Sequence, residues 1–247
     1  MPTSYVGKTA LVTGATSGIG MAIARMLAKH GANVVALGRN SVQLDALAAE
    51  FGGSWLSIRA DVTVEADIET AVREAVQRFG SLHVAFNVAG GGSFSPILGG
   101  NSDDWHAVVD LCLRGAYHCI KHEAQQMATQ ETGGAIVNIS SLNQEVPLPG
   151  SSAYASAKAG LGMLTKNTAL ELAAHGVRVN AVLPGLVDTP ATAFLKAAPA
   201  VAEAYLNVIP MRRVGAPDEI ARVALFLASD AASYVTGASL IVDGGWV

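Results

Sequence analysis

The chain has 247 residues, of which 51% are hydrophobic and only 15% charged, with a formal net charge of −4. That balance excludes a disordered or fibrous chain and suits a sheet buried on both faces, and the lack of a lysine or arginine cluster argues against a nucleic-acid partner. No apolar stretch reaches the roughly 18 residues of a membrane span and the first residues form no apolar signal core, so a cytoplasmic protein with no membrane partner is expected.

Apolar, β-branched runs are predicted as strands at 9–12, 33–37, 55–60, 83–86, 135–139, 178–183 and 239–242, with helical spacing between them. The alternation implies an α/β, Rossmann-like, doubly wound fold: a seven-stranded parallel sheet with helices on both faces. No linker or repeat divides the chain, so residues 1–247 are expected to form a single dinucleotide-binding and catalytic domain.

The first strand runs into Thr13-Gly14-Ala15-Thr16-Ser17-Gly18-Ile19-Gly20, and a helical pattern covers 21–30. Strand, glycine turn and helix in that order make a phosphate cradle, because glycines let the backbone approach a pyrophosphate at the positive end of a helix. Short right-handed crossovers place this turn and the turn after Asn87 on either side of the topological switch point, where ligands bind.

Cys112 and Cys119 fall seven apart on a predicted helix, about 10 Å at ~1.5 Å per residue, too far for a disulfide. His118 and His122 have the spacing of a metal pair but no motif supplies a third ligand, so no metal is expected. Tyr154 and Lys158 share one helical face, where an ammonium favours a phenolate. Residues 187–211, rich in Ala and Pro, are a candidate lid over the site. The helical stretches 105–127 and 152–174 and the tail Trp246-Val247 would leave apolar faces exposed on a monomer, which points to subunit contacts.

Taken together, Gly14, Gly18 and Gly20, Asp61-Val62, Asn87-Val88-Ala89-Gly90, Asn138-Ile139-Ser140-Ser141, Tyr154 with Lys158, Asn180 with Pro184-Gly185, and Asp243-Gly244-Gly245 resemble the classical branch of the short-chain dehydrogenase/reductase family over nearly the whole chain. The resemblance implies a reaction that interconverts a ketone and a secondary alcohol, with Tyr154 as acid/base. Lys158 lowers the phenol's hold on its proton and binds the nicotinamide ribose, and Ser141 holds the substrate oxygen. Ser140 is read as a strand-end hydroxyl bonded to backbone. It also implies a cofactor site at Gly14, Thr16, Ser17, Gly18, Ile19, Gly20, Asp61, Val62, Asn87, Gly90, Pro184, Gly185, Val187 and Thr189, with Tyr154 and Lys158. Asp61 would bond the adenine amino group, or else cap the helix that follows. A homotetramer is the family expectation.

Two positions depart from the family pattern. Val88 stands where a second asparagine is common, and Cys112 stands where the family carries an asparagine that holds a proton-relaying water. A thiol is a poor donor and acceptor, so that relay must be rearranged here.

The stretch Ala36-Leu37-Gly38-Arg39-Asn40 has no carboxylate for the ribose hydroxyls of NAD, and Arg39 matches phosphate geometry. NADP(H) is therefore favoured, with NAD(H) the alternative. The residues expected at the nicotinamide are 91–94, 142–148, Pro190, Phe194, Tyr205 and Met211, mostly apolar, which suits a small neutral ketone or alcohol. A 3-ketoacyl thioester reductase and a non-catalytic dinucleotide sensor or scaffold are the alternatives. Against the first, the chain offers no basic docking face beyond Arg212-Arg213.

Overall fold

The computed structural model describes residues 4–92 and 95–247. Seven strands, β1 (Thr9–Val12), β2 (Asn33–Gly38), β3 (Trp55–Arg59), β4 (Val84–Asn87), β5 (Gly134–Ile139), β6 (Val177–Pro184) and β7 (Ser239–Val242), form one sheet in the order β3-β2-β1-β4-β5-β6-β7. Every pairing is parallel. β1 and β4 are buried along their whole length, as continuous apolar runs between two helical layers should be, whereas the edge strands β3 and β7 are only partly covered.

One face carries α1 (Gly18–Lys29), α2 (Ser41–Phe51) and α8 (Pro217–Ala228), whose Ile23, Leu27, Leu44, Leu47 and Ile220 pack on Val12, Val34 and Phe86. The other carries α3 (Glu65–Phe79), α5 (Gly115–Ala128) and α6 (Ser152–Leu172), with Ile68, Ile120, Met127 and Leu161 against Leu11, Val35 and Ile136. A third small cluster joins α4 (Ser102–Val109) to α6 through Val108, Ala153 and Ala157. Phe86 has no exposed surface, and truncating a side chain so placed costs about 3–5 kcal/mol.

The predicted strands are all present, with ends that differ by at most one residue. The helical stretch 105–127 is not uniform: α4 passes into a wide π turn at Asp110–Arg114 before α5 begins. Such turns arise where one extra residue is accommodated in a helix, and they gather at functional sites. Both cysteines are buried free thiols. No helix among the described residues is long and apolar enough to cross a membrane.

β1 pairs with β2 on one side and β4 on the other, so the chain reverses its direction of travel across the sheet at β1/β4. The carboxyl ends of the strands open there into a crevice.

Candidate active site

A cavity of about 970 Å³ lies along those carboxyl ends. Its first wall is the glycine turn, from Gly14 through Thr16, Ser17, Gly18 and Ile19 to Gly20. Gly14 has φ +63°, and a Cβ on Gly20 would collide with the Gly14 carbonyl, so neither position takes a side chain. α1 then opens with no acidic residue in its first turn and no side-chain cap from Ser17. Its leading amides are left for an anion, and the turn fits a dinucleotide pyrophosphate.

Arg39 follows β2 and Asp61 follows β3, both on the cavity wall. Their side chains stand 3.7 Å apart, Nη1 to Oδ2, with Arg39 72% exposed. Asp61 Oδ1 accepts from Thr63 N at 3.0 Å and from its hydroxyl at 2.8 Å. Those bonds, the backbone one foremost, hold the carboxyl below its ordinary range against the opposing effect of burial, with Arg39 adding to them. Asp61 thus shapes the turn before α3 with one oxygen and faces Arg39 with the other.

The opposite wall comes from β5 and α6. Ser140, Ser141, Tyr154 and Lys158 all line the cavity. Ser140 is buried, its hydroxyl 3.4 Å from the Lys158 carbonyl, in keeping with a strand-end group bonded to backbone. Ser141 Oγ accepts from Asn143 N at 3.1 Å, which leaves its own O–H free to donate. Lys158 is buried and donates to the Ile139 carbonyl at 2.8 Å, with its ammonium 5.6 Å from the centre of the Tyr154 ring.

The loop after β4 completes this wall. A Cβ on Gly90 would lie 3.3 Å from Lys158 Nζ and 3.6 Å from Cys112 Sγ, and one on Gly92 would lie 3.0 Å from the Tyr154 ring. Cys112, inside the π turn, donates to the Gly91 carbonyl at 3.1 Å and accepts from Gly91 N at 3.4 Å. Asn87 is the one predicted site residue away from the wall: it is buried behind it, bonded to Asn138 at 3.1 Å and Glu123 at 2.9 Å.

Val62, Pro184, Gly185, Val187 and Thr189 all line the cavity. Residues 187–211 fold as a 3₁₀ segment, Pro190–Ala197, and α7 (Pro199–Val208), and a bridge from Val187 to Gly215 joins the two ends of this excursion. Phe194, Val201 and Tyr205 make its side of the cavity apolar, and Val146, Pro147 and Leu148 line the cavity from the segment before α6. Met211 instead packs over Gly244 with its N–H on the Gly244 carbonyl, and Ser93 and Phe94 lie outside the described residues. Trp246, read from sequence as part of an exposed tail, turns onto the lid, meets Tyr205 edge-on at 5.7 Å and lines the cavity. No local pattern announces this: a penultimate tryptophan looks the same whether it is free or folded back. Among the described residues no group of three or more His, Cys, Asp and Glu could hold a metal; His118 faces the Val62 carbonyl and His122 faces Glu65.

A dinucleotide cradle facing a serine, tyrosine and lysine on one parallel sheet defines an oxidoreductase. Over residues 14–247 the chain matches the family model described as Enoyl-(Acyl carrier protein) reductase, and it belongs to the short-chain dehydrogenase/reductase family, classical branch. It is 39% identical over 243 residues to 3beta-hydroxysteroid dehydrogenase 1 of Eggerthella lenta, covering 97% of this chain and 93% of that one. It is also 39% identical over 246 residues to the 3-oxoacyl-[acyl-carrier-protein] reductase FabG of Thermotoga maritima, 98% of each chain. A crystal structure of a putative gluconate dehydrogenase from Agrobacterium tumefaciens superposes with a TM-score of 0.93 at 32% identity, covering 98% of this chain and 97% of that one. The protein is an NAD(P)-dependent enzyme that interconverts ketones and secondary alcohols by hydride transfer, acting on small carbonyl or alcohol substrates.

Proposed function

We propose that this chain is one catalytic domain that reduces a neutral ketone with NADP(H), using Ser141, Tyr154 and Lys158. The observation that carries the assignment is the single cavity wall on which the three side chains meet, with the Lys158 ammonium buried beside the Tyr154 ring. When bound, the nicotinamide supplies or accepts the hydride. Tyr154 gives its proton to the alkoxide that forms. Ser141 donates to the substrate oxygen, holding it within reach of Tyr154. Lys158, fixed by Ile139, also holds the nicotinamide ribose. The turn at Gly14, Thr16, Ser17, Gly18, Ile19 and Gly20 takes the pyrophosphate. Asp61 and Val62 take the adenine and Gly90 supports the adenosine side, with Pro184, Gly185, Val187 and Thr189 along the nicotinamide half.

Arg39, exposed and only loosely held by Asp61, supports NADP(H) over NAD(H), since a free guanidinium is suited to the additional phosphate. The apolar lid supports a neutral and cyclic substrate, the class named for the steroid relative. The thioester reading keeps support from the Thermotoga relative. Against carrier docking, Arg213 is engaged by both oxygens of Glu219 at 2.7 Å. Two separate sets of exposed apolar residues, Tyr117, Met163 and Leu170 on α5 and α6 and Phe226, Leu240 and Ile241 on α8 and β7, support a homotetramer.

Fluorescence titration with NADPH and NADH, followed by turnover on neutral cyclic ketones and on a 3-ketoacyl thioester, tests this. Tighter NADPH binding and ketone reduction are expected. Tight binding without turnover of either substrate would remove the assignment.

A further inference from the structure

Behind the catalytic wall lies a carboxyl group for which hydride transfer has no direct use. Glu123 of α5 has no exposed surface. Asn87 Nδ2 donates to its Oε2 at 2.9 Å and to Asn138 Oδ1 at 3.1 Å. Asn138 Nδ2 in turn donates to Thr165 Oγ1 at 2.9 Å, and that hydroxyl donates to the Leu161 carbonyl at 2.8 Å. The chain of bonds therefore crosses from α5 through β4 and β5 to α6.

Two buried acceptors in this network lack a donor: Glu123 Oε1 and Asn87 Oδ1. They are the second oxygen of the carboxyl and the oxygen of the carboxamide, whose other atoms are already bonded to each other. An ionised carboxylate would leave both unpaired, at about 1–3 kcal/mol or more for each unsatisfied group. A single proton on Oε1 supplies the missing donor and satisfies both atoms at once, because a carboxylic acid and a primary amide are complementary along one edge.

We propose that Glu123 carries a proton and closes a two-bond ring with Asn87, Nδ2–H to Oε2 and Oε1–H to Oδ1, and that this ring positions the ends of β4 and β5 around the catalytic lysine. Burial independently pushes the Glu123 carboxyl up to about 8. Several charged groups on the packed elements are engaged elsewhere. Glu65 of α3 is held by Lys121 and His122, Asp110 by Arg114, and Lys158 by Ile139. Arg178 of β6 donates to the Leu227, Ser229 and Val235 carbonyls. The Cys119 thiol, one turn earlier on α5, is itself raised by burial and by Glu123.

The reach of the ring follows from what comes next along each strand. After Asn87, the N–H groups of Val88 and Ala89 both donate to Thr13 Oγ1, at 2.9 and 3.1 Å, and Gly90 then passes against Lys158. After Asn138 comes Ile139, whose carbonyl holds Lys158. Glu123 is in these terms a positioning residue that touches neither substrate nor cofactor. The positioning half rests on the role proposed for Lys158; the protonation half does not.

Two measurements separate them. The infrared difference between wild type and E123Q at neutral pH is expected to show a carboxylic-acid carbonyl band present only in the wild type; its absence overturns the ring, whatever the enzyme's substrate. Steady-state kinetics across pH with NADPH and a neutral ketone test the positioning. E123M, which keeps the volume and no polar edge, is expected to lose roughly tenfold in kcat, the scale of a sub-ångström misplacement, with ketone KM nearly unchanged. E123Q, which can offer N–H and C=O along the same edge, recovers most of that loss. It also lacks the alkaline fall in kcat that deprotonation of Glu123 gives the wild type. A folded E123M as active as wild type, or an E123Q as impaired as E123M, overturns the positioning role. If E123M does not fold, alkaline limbs that coincide in wild type and E123Q overturn it.

Discussion

Lys158 donates to the main-chain oxygen of Ile139 at 2.8 Å while its ammonium stands 5.6 Å from the centre of the Tyr154 ring. The lysine is therefore fixed by the sheet and not by the tyrosine. It stands beside the phenol at a position that the end of β5 determines. Removing the phenolic oxygen and removing the ammonium should have separable effects. Tyr154→Phe is expected to lose at least about a hundredfold in kcat, the range of a lost general acid, with dinucleotide affinity retained. Lys158→Met is expected to lose turnover and to weaken dinucleotide binding as well. Fluorescence titration alongside steady-state rates reads both; equal affinity for the two variants would remove the lysine from the ribose.

At Arg39 the question is selectivity between cofactors. Its guanidinium is mostly exposed and the one ion pair it makes among the described residues, at 3.7 Å to Asp61, is long. A charge-assisted contact to a phosphate is worth about 1.5–3 kcal/mol, so Arg39→Ala should weaken NADPH binding by roughly tenfold or more. NADH binding should change little. Raising the salt concentration should narrow the wild-type preference, because an exposed pair is screened. An unchanged NADPH/NADH ratio in the variant would assign the phosphate to no residue at this position.

Cys112 links the π turn to both the N–H and the carbonyl of Gly91. The next residue, Gly92, lies directly against the Tyr154 ring. The thiol therefore holds the loop directly, without an intervening water, and the enzyme is expected to remain active with it. Cys112→Ala removes both bonds and should lower kcat several-fold, with Cys112→Ser closer to wild type. If Cys112→Asn leaves rate and pH profile unchanged, the side chain at this position does not enter the reaction.

Much of this is legible in the sequence. The seven apolar runs and the glycine turn are local signals, governed by strand burial and by backbone conformations that only a few residues adopt, and they placed β1 through β7 to within one residue. Tyr154 and Lys158 were legible because helical spacing puts them on one face. Asn87 was assigned to the cofactor because it heads a cofactor loop, but strand alternation alone does not say on which side of the sheet its amide finds a partner; Glu123, 36 positions on, decides that. The π turn was illegible for a related reason. Residues 105–127 read as one helical stretch, and the contact inside the π turn, Cys112 to Gly91, is made across the fold with a loop 21 positions away. Trp246 finds Tyr205 only once the lid and the carboxyl terminus are brought together by the complete fold.

Two carboxyl groups should give the protein opposing responses to pH. Glu219, near the start of α8, accepts from Arg213 on both oxygens and from the Ala216 N–H at 2.8 Å, which together hold it down at about 2. A carboxyl depressed in the fold contributes stability that is complete above its ordinary value of 4.5 and is lost as the pH falls through about 2. Glu219→Gln should therefore melt below wild type at neutral pH, and the two should converge in strong acid. Because Arg213 and Ala216 flank Gly215, the residue bridged to Val187, the variant should also loosen the far end of the lid excursion and raise ketone KM. Glu123 has the reverse sign: with its folded value near 8, the native state binds the additional proton, so its contribution falls as the pH rises from 4.5 through 8. Glu123→Gln should match wild type near pH 4.5 and melt above it in alkali. Thermal melts of the three proteins across pH measure both slopes, and a Glu123→Gln curve parallel to wild type throughout would show that no proton is bound on folding at this site.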